Sequence, residues 1–148
     1  MCSNENNKMK IIPKNGIDKL LFGMKQKDVL EILGLPDKKF EDEENNMIYI
    51  YNTLQLHLNF YEEEEFRLGY IITANPEAML LDKKIIGQTF EKIKSELPTY
   101  KTWEKEDFDL AENYFNEDNW LILVSEFDKI LKVELGCMIV DDEFDWKF

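Results

Sequence analysis

The sequence predicts an α+β domain in which two tandem repeats, each a helix followed by a three-stranded antiparallel meander, form a curved sheet with the helices on one face. Three observations support this prediction. The chain has 148 residues, the length of a single domain. Two segments with helical spacing of apolar residues are each followed by runs that alternate apolar and polar residues. A shift of 64 positions superposes the two patterns, so that Val29 falls on Ile93 and Leu33 on Leu97.

The first repeat is predicted over residues 16–74, after a polar leader of residues 1–15 that should be flexible except for the apolar pair Ile11 and Ile12. Its helix should end at about Leu33, because Gly34 is a typical C-terminal stop and Pro36 prevents continuation. The apolar residues that define this helical segment are Ile17, Leu20, Leu21, Phe22, Val29, Leu30, Ile32 and Leu33.

The meander of the first repeat is predicted as strands at residues 47–51, 54–60 and 66–73, with the acidic residues 62–65 in a hairpin connection. The alternation in the third run directs four residues toward a buried face. These are Phe66, Leu68, Tyr70 and Ile72.

Residues 75–85 are predicted as a short linker helix, since Asn75 can cap a helix that begins with Pro76. The second repeat, residues 86–148, has a helix capped by Thr89 and closed by Pro98. Its strands are predicted at residues 111–115, 120–124 and 129–135, and in the last of these Leu131, Val133 and Leu135 should point inward. A possible final strand, residues 137–140, leads into an acidic, aromatic tail.

The net charge of the chain is -13, and it is unevenly distributed. Residues 1–36 contain six lysines and four acidic residues, so the rest of the chain has a net charge of -15. Such acidity excludes nucleic acids and anionic membranes as natural partners and favours a basic protein. The acidic residues cluster at residues 41–44, 62–65, 104–109 and 141–145, and clusters of this kind are also typical of ordinary solvated turns.

Histidine and cysteine are scarce, and carboxylate pairs are so abundant that a match to a carboxylate site would be uninformative. His57 is the only histidine, and its place in an alternating run predicts a position on the polar face of a strand. One histidine and two distant cysteines cannot form a zinc site, and no phosphate loop, nucleophile elbow or EF-hand pattern is present. The sequence therefore predicts a protein that is not an enzyme and has no metal or other cofactor.

The two cysteines lead to two predictions of localisation. Cys2 lies in the polar leader and Cys137 in an apolar run, so we expect two free thiols and a cytoplasmic protein. Alternatively, the segment Cys-Ser-Asn-Glu-Asn-Asn is how a processed bacterial lipoprotein begins. In that case Cys2 is a lipidation site and the protein is anchored to the envelope.

The segment from Phe22 to Pro36, with Gly23, Met24, Val29, Leu33 and Gly34, resembles the Gly-Met…Leu-Gly-x-Pro segment of the BamE/SmpA-like proteins. Tandem copies of a similar unit form the β-lactamase inhibitor protein. The resemblance implies helices packed on a small antiparallel sheet. It assigns no catalytic residue.

The function predicted from these features is a non-catalytic binding protein that inhibits a basic bacterial enzyme. In this respect the chain resembles acidic immunity proteins, which neutralise a nuclease-type toxin. The alternative is an envelope lipoprotein or assembly factor of the BamE-like type. The candidate partner-binding residues are Glu62, Glu63, Glu64, Glu65, Trp103, Glu106, Asp107, Asp109, Asp141, Asp142, Asp145 and Trp146.

Overall fold

The structure is a computed structural model that describes residues 9–148, and it is built mainly from β-strands. The strands are β1 (Met9–Ile12), β2 (Gly16–Ile17), β3 (Leu20–Leu21), β4 (Lys38–Glu41), β5 (Met47–Tyr51), β6 (Leu56–Tyr61), β7 (Arg67–Thr73), β8 (Ala78–Leu80), β9 (Lys83–Lys84), β10 (Glu104–Phe108), β11 (Ala111–Asn116), β12 (Leu121–Glu126), β13 (Lys129–Gly136), β14 (Ile139–Val140) and β15 (Glu143–Phe144). The helices are α1 (Gln26–Leu33) and α2 (Phe90–Glu96).

Eight of these strands form one antiparallel sheet in the order β10-β11-β12-β13-β7-β6-β5-β4. Strands β7 and β13 pair antiparallel at its centre, with Ile72 opposite Glu134 and Ile71 opposite Leu135. A second sheet has the order β3-β2-β1-β8-β9, in which β1 and β8 are parallel, and β14 pairs with β15 alone.

The predicted fold class is wrong. The molecule is mainly β, and the prediction of two helix-plus-three-strand repeats fails because it omits strands β4 and β10 and the whole second sheet. Both β4 and β10 are edge strands whose residues are all exposed and mostly charged, so they show no apolar alternation.

Two further parts of the predicted organisation are wrong. Residues 75–85 contain no helix: Asn75 accepts a hydrogen bond from the Glu77 amide at 2.9 Å, and this turn leads into β8. The leader was expected to be flexible except at Ile11 and Ile12, but its residues from Met9 to Ile12 form β1, the middle strand of the second sheet; residues 1–8 lie outside the described part. Ile17 and Leu20, expected to be helical, belong to the β2–β3 hairpin.

The predicted C-terminal end of α1 and the predicted N-terminal start of α2 are confirmed. Helix α1 ends at Leu33, and the Gly34 amide donates to the Leu30 carbonyl. Helix α2 is capped by Thr89, whose side chain accepts a hydrogen bond from the Lys92 amide at 3.2 Å.

A single core lies against one face of the large sheet, here called the inner face. Val29 of α1 and Ile93 of α2 are fully buried in it together with β-strand residues such as Leu58 and Val133. The second sheet contributes Ile11 and other apolar residues to the same core.

The opposite, outer face carries half-exposed side chains, and two β-bulges determine which residues reach it. Asn59 is opposite Tyr70 and Phe60 is opposite Leu68, so Gly69 is an extra residue in β7. Tyr70 and Ile72 consequently lie on the outer face, although the alternation predicted them inside. A bulge between Val124 and Ser125 likewise leaves Leu131 exposed, while Val133 and Leu135 are buried as predicted.

Candidate binding site at the acidic end of the sheet

The strand pairing brings several acidic turns to the same end of the large sheet. The β4–β5 turn, the β6–β7 turn, the β11–β12 turn and the segment that follows β13 all lie where Phe60 pairs with Met47, and Leu121 with Leu135. We call this region, residues 42–46, 62–66, 117–120 and 137–148, the acidic end.

Direct contacts hold the first two turns together. The side-chain oxygen of Asn46 accepts a hydrogen bond from the Glu62 amide at 3.0 Å, and Asp42 accepts bonds from the amides of Glu44 and Asn46. Desolvation raises the pKa of Asp42, but the hydrogen bonds from the backbone outweigh it, so the pKa is lowered and Asp42 stays ionised. Backbone hydrogen bonds thus fix the acidic turns. Among residues 9–148, the carboxylates of Glu44 and residues 62–65 form no ion pair.

The C-terminal segment is fastened across this end. The Cys137 amide donates to the Gly69 carbonyl at 3.0 Å, and the Lys147 amide donates to the Phe22 carbonyl at 2.9 Å. The Phe144 ring stacks on Trp146 at 4.8 Å between centroids and lies 5.7 Å from Tyr61. These contacts place Ile139 and Phe144, the first and last residues of the β14–β15 hairpin, in the same cleft as Glu63 and Glu64 of the β6–β7 turn.

A cleft of about 300 Å³ opens at the acidic end. We call it the aromatic cleft. Its aromatic lining consists of Tyr61, Trp120 and Phe144, its acidic lining of Glu44, Glu63 and Glu64, and the remaining lining of Asn46, Cys137 and Ile139.

The two reactive side chains of the cleft are both protonated at neutral pH. Burial first, then the charge of Asp145, raises the pKa of the Cys137 thiol to about 11. Burial, then the proximity of Cys137 and Glu44, raises the pKa of Tyr61 to about 12. A thiol with such a pKa is a poor nucleophile, because the thiolate is the reactive form.

The structure brings together part of the predicted partner-binding set. Glu62, Glu63, Glu64 and Glu65 form the β6–β7 turn, and Asp141, Asp142, Asp145 and Trp146 belong to the segment fastened beside it. Trp146 is half-buried against the core through Phe144.

The other predicted residues lie elsewhere. Trp103 is on the inner side, where its ring meets Phe90 of α2 at 5.2 Å and its Nε1 donates to the Tyr100 carbonyl. Glu106 and Asp107 lie along edge strand β10, and Asp107 is 3.7 Å from Lys105. Asp109 is in the β10–β11 turn at the far end of the sheet.

Sequence reasoning missed the aromatic lining from Tyr61, Trp120 and Phe144. The available signal was a glycine near the end of each central strand: the Tyr61 ring lies over Gly69, and the Trp120 ring lies over Gly136. Glycine inside a strand often marks such a close approach.

His57 is exposed on the outer face, as predicted, and within residues 9–148 no group of His, Cys, Asp and Glu is arranged to hold a metal ion. Cys137 is a free thiol, and Cys2 lies outside the described residues. Neither α1 nor α2, the helices of residues 9–148, has the length and apolarity needed to cross a membrane.

A second cleft, of about 690 Å³, lies between the second sheet and α1. It is lined by Met9, the first described residue, together with Ile32 and Leu56. It contains none of the predicted site residues.

Comparison with known proteins gives similarity of fold only. No family model matches the chain, and no curated protein matches it. A solved structure of an extracellular protein containing an SCP domain, from Bacillus anthracis str. Ames, is similar over 76% of this chain and 43% of that chain, with 14% identity and a TM-score of 0.52. A cysteine-rich secretory protein from Staphylococcus aureus subsp. aureus Mu50 matches 76% of this chain and 42% of that chain, with 13% identity and a TM-score of 0.44.

The chain therefore spans less than half the length of the two structures it matches. The resemblance to BamE/SmpA-like proteins, to the β-lactamase inhibitor protein and to immunity proteins is wrong, since the fold is similar to that of an extracellular protein containing an SCP domain. The fifteen residues that carried the resemblance include a helix stop and a turn, features that many folds share.

Proposed function

We propose that this chain is a non-catalytic binding domain that recognises a basic protein through the acidic end of its large sheet. The observation that carries the proposal is the convergence of two acidic turns, which contribute Glu44 and the pair Glu63 and Glu64, on one cleft lined by aromatic rings. Within residues 9–148, neither Glu62, Glu63, Glu64 and Glu65 nor Asp141 and Asp142 form an ion pair.

Unpaired carboxylates of one sign repel each other, so their grouping favours a ligand of opposite charge. A basic protein would be attracted over a distance of about 10 Å at moderate salt. The aromatic cleft supplies the apolar contact area that charge alone lacks, because affinity depends on buried anchors more than on rim charges. A basic enzyme whose positively charged groove is covered in this way would be inhibited.

The test compares two variants that remove the same number of charges. In the first, Glu62, Glu63, Glu64 and Glu65 are changed to Gln. In the control, Glu104, Glu106, Asp107 and Asp109, on β10 and its turn, are changed to the corresponding amides. Binding to a set of small basic proteins is measured by surface plasmon resonance at several salt concentrations, with an acidic protein as the negative probe.

We expect the first variant to bind about tenfold or more weakly, mainly through a slower association rate, and to show a smaller dependence on salt. The control should bind nearly as wild type does. Equal losses in both variants would mean that net charge alone attracts the probes, and the proposed site would be wrong.

For localisation, we propose that the protein acts outside the cytoplasm, anchored through Cys2. Two observations support this over a cytoplasmic site: the position of Cys2 in a polar leader and the extracellular description of the Bacillus anthracis protein. Labelling with a fatty-acid analogue in cells that express the native gene should mark the wild type and Cys137→Ser, but not Cys2→Ser. Labelling of Cys2→Ser, or none of the wild type, would contradict the anchor.

A further inference from the structure

Two of the rings that line the aromatic cleft pack against glycines of the sheet. The Trp120 ring covers Gly136 of β13: a methyl carbon added there would be 2.5 Å from Trp120 Nε1. The Tyr61 ring covers Gly69 of β7 in the same manner, with Cζ 2.9 Å from an added carbon. Both glycines leave room for a ring that any larger residue would displace.

The backbone around these rings is fixed. A 3₁₀ turn, Glu117–Asn119, precedes Trp120 and is capped by the side chain of Asn116, which accepts a hydrogen bond from the Asn119 amide at 3.2 Å. Trp120 itself adopts a left-handed conformation with φ of 48°, and its carbonyl accepts a bond from the Gly136 amide. The ring is therefore positioned before any ligand arrives.

The third ring of the cleft is that of Phe144 in β15. Phe144 lies 5.7 Å from Tyr61 at an angle of 47° between the ring planes, and Trp146 stacks behind it. All three cleft rings are half-buried and retain exposed surface. All three line an empty space of about 300 Å³, the lower limit for small-ligand pockets.

The rim of the same cleft is acidic. Glu44 enters from the β4–β5 turn, and Glu63 and Glu64 enter from the 3₁₀ turn that follows β6. Within the described residues none of the three has a cationic partner. Burial, Cys137 and Glu44 together raise the pKa of the Tyr61 hydroxyl to about 12, as expected where burial and negative charge disfavour a further anion.

We propose that the aromatic cleft binds the side chain of an arginine from the basic partner. Aromatic faces attract a cation through the ring quadrupole, and the planar guanidinium also stacks on them. Its five N–H donors form a fork that suits carboxylates such as Glu63 and Glu64. A lysine ammonium would gain the charge attraction but neither the stacking nor the fork. This inference rests on the proposed function and adds to it the residue type that is recognised.

The test uses three short peptides that differ only in a central arginine, lysine or citrulline, the last being a neutral analogue of arginine. Their binding to the whole chain is followed by NMR titration of the backbone amides of Gly69 and Gly136. We expect the arginine peptide to bind most tightly, the lysine peptide more weakly, and the citrulline peptide about tenfold or more weakly than arginine.

Two variants probe the cleft and one serves as the control. Trp120→Leu should weaken arginine binding by about three- to thirtyfold, the range expected from cation–π energies. Trp103→Leu removes a tryptophan on the inner side, away from the cleft, and should bind as wild type does. The exposed double variant Glu63→Gln with Glu64→Gln provides a second test if Trp120→Leu fails to fold, and it should also weaken binding.

The inference is overturned if citrulline binds as well as arginine, if the cleft variants bind as well as wild type, or if the arginine peptide does not bind. Should the arginine peptide fail while basic proteins still bind through residues 62–65, the cleft is not the anchor and the proposed function stands. Should both fail, the proposed function falls as well.

Discussion

Replacing Gly136 with alanine should destabilise the protein only while Trp120 is present. The new methyl carbon would lie 2.5 Å from Trp120 Nε1 and 3.2 Å from Tyr70 Cδ1, whereas carbon and nitrogen atoms normally approach to about 3.5 Å. The Trp120 ring must therefore shift by about 1 Å or leave the sheet. Overpacking of this kind costs about 1–3 kcal/mol of unfolding free energy.

The same substitution should cost little once the ring is gone, because the remaining contact, 3.2 Å to Tyr70 Cδ1, requires a shift of only a few tenths of an ångström. The backbone of Gly136 lies outside the left-handed region, and alanine in a strand is favoured over glycine by about 0.5–1 kcal/mol. In a Trp120→Ala background, Gly136→Ala should thus be neutral or slightly stabilising, which gives a coupling of about 1.5 kcal/mol or more between the two sites.

The assay is urea unfolding of the four proteins of this double-mutant cycle, followed by far-UV circular dichroism. Equal costs of Gly136→Ala in the two backgrounds would refute the reasoning, because they would show that the Trp120 ring does not lie on Gly136.

Three further predictions concern stability and pH. At about pH 11 the wild type should have lost about 1 kcal/mol more of its unfolding free energy than Tyr61→Phe. The pKa of Tyr61 is raised in the folded state, so the folded protein keeps a proton that the unfolded chain releases above pH 10. Urea midpoints at neutral and alkaline pH test this prediction, and equal losses in the two proteins would contradict it. Ile93→Ala should cost about 2–5 kcal/mol by leaving a cavity under α2, and a thermal melt that differs little from wild type would show that Ile93 is not in the core. Thr89→Ala should cost about 1 kcal/mol of unfolding free energy, because it removes the N-cap of α2. Lys25→Ala should cost little, because the Lys25 side chain does not cap α1. Equal chemical denaturation midpoints for the two variants would contradict the assignment of Thr89 as a cap.

The sequence predicts the two helices well because their signals are local. The end of α1 depends on Gly34 and the start of α2 on Thr89, and each residue acts on its own backbone. Strands β5 and β13 are also placed within a residue of their observed bounds, since burial of one face produces a visible alternation.

The prediction of the fold is wrong where the structure depends on residues that are close in space but distant in sequence. Strands β4 and β10 form because an adjacent strand offers them hydrogen bonds, although all their side chains are exposed. The bulge at Gly69 shifts the phase of β7, so Tyr70 reaches the outer face. No periodicity within a single strand could indicate either outcome.

The candidate site was predicted in part. Residues 62–65 and the acidic tail were identified from charge, and the contact of Phe144 with Tyr61, in a cleft that Glu63 and Glu64 also line, brings the two segments together. The predicted residues on β10 and its turn lie away from this group. The sequence could not show this, because an acidic cluster carries no information on which end of a sheet it reaches. The aromatic cleft was missed, since its rings come from three different strand ends.

The central claim, that a basic partner binds at the acidic end, is tested most directly by NMR mapping with an arginine-rich peptide on the whole chain. The claim predicts that chemical-shift changes concentrate in the amides of the acidic end, residues 42–46, 62–66, 117–120 and 137–148, and decrease as salt is added. Shifts concentrated instead along β10 and at the far end, in residues 52–55 and 126–129, would contradict it, as would the absence of shifts both with the peptide and with a small basic protein.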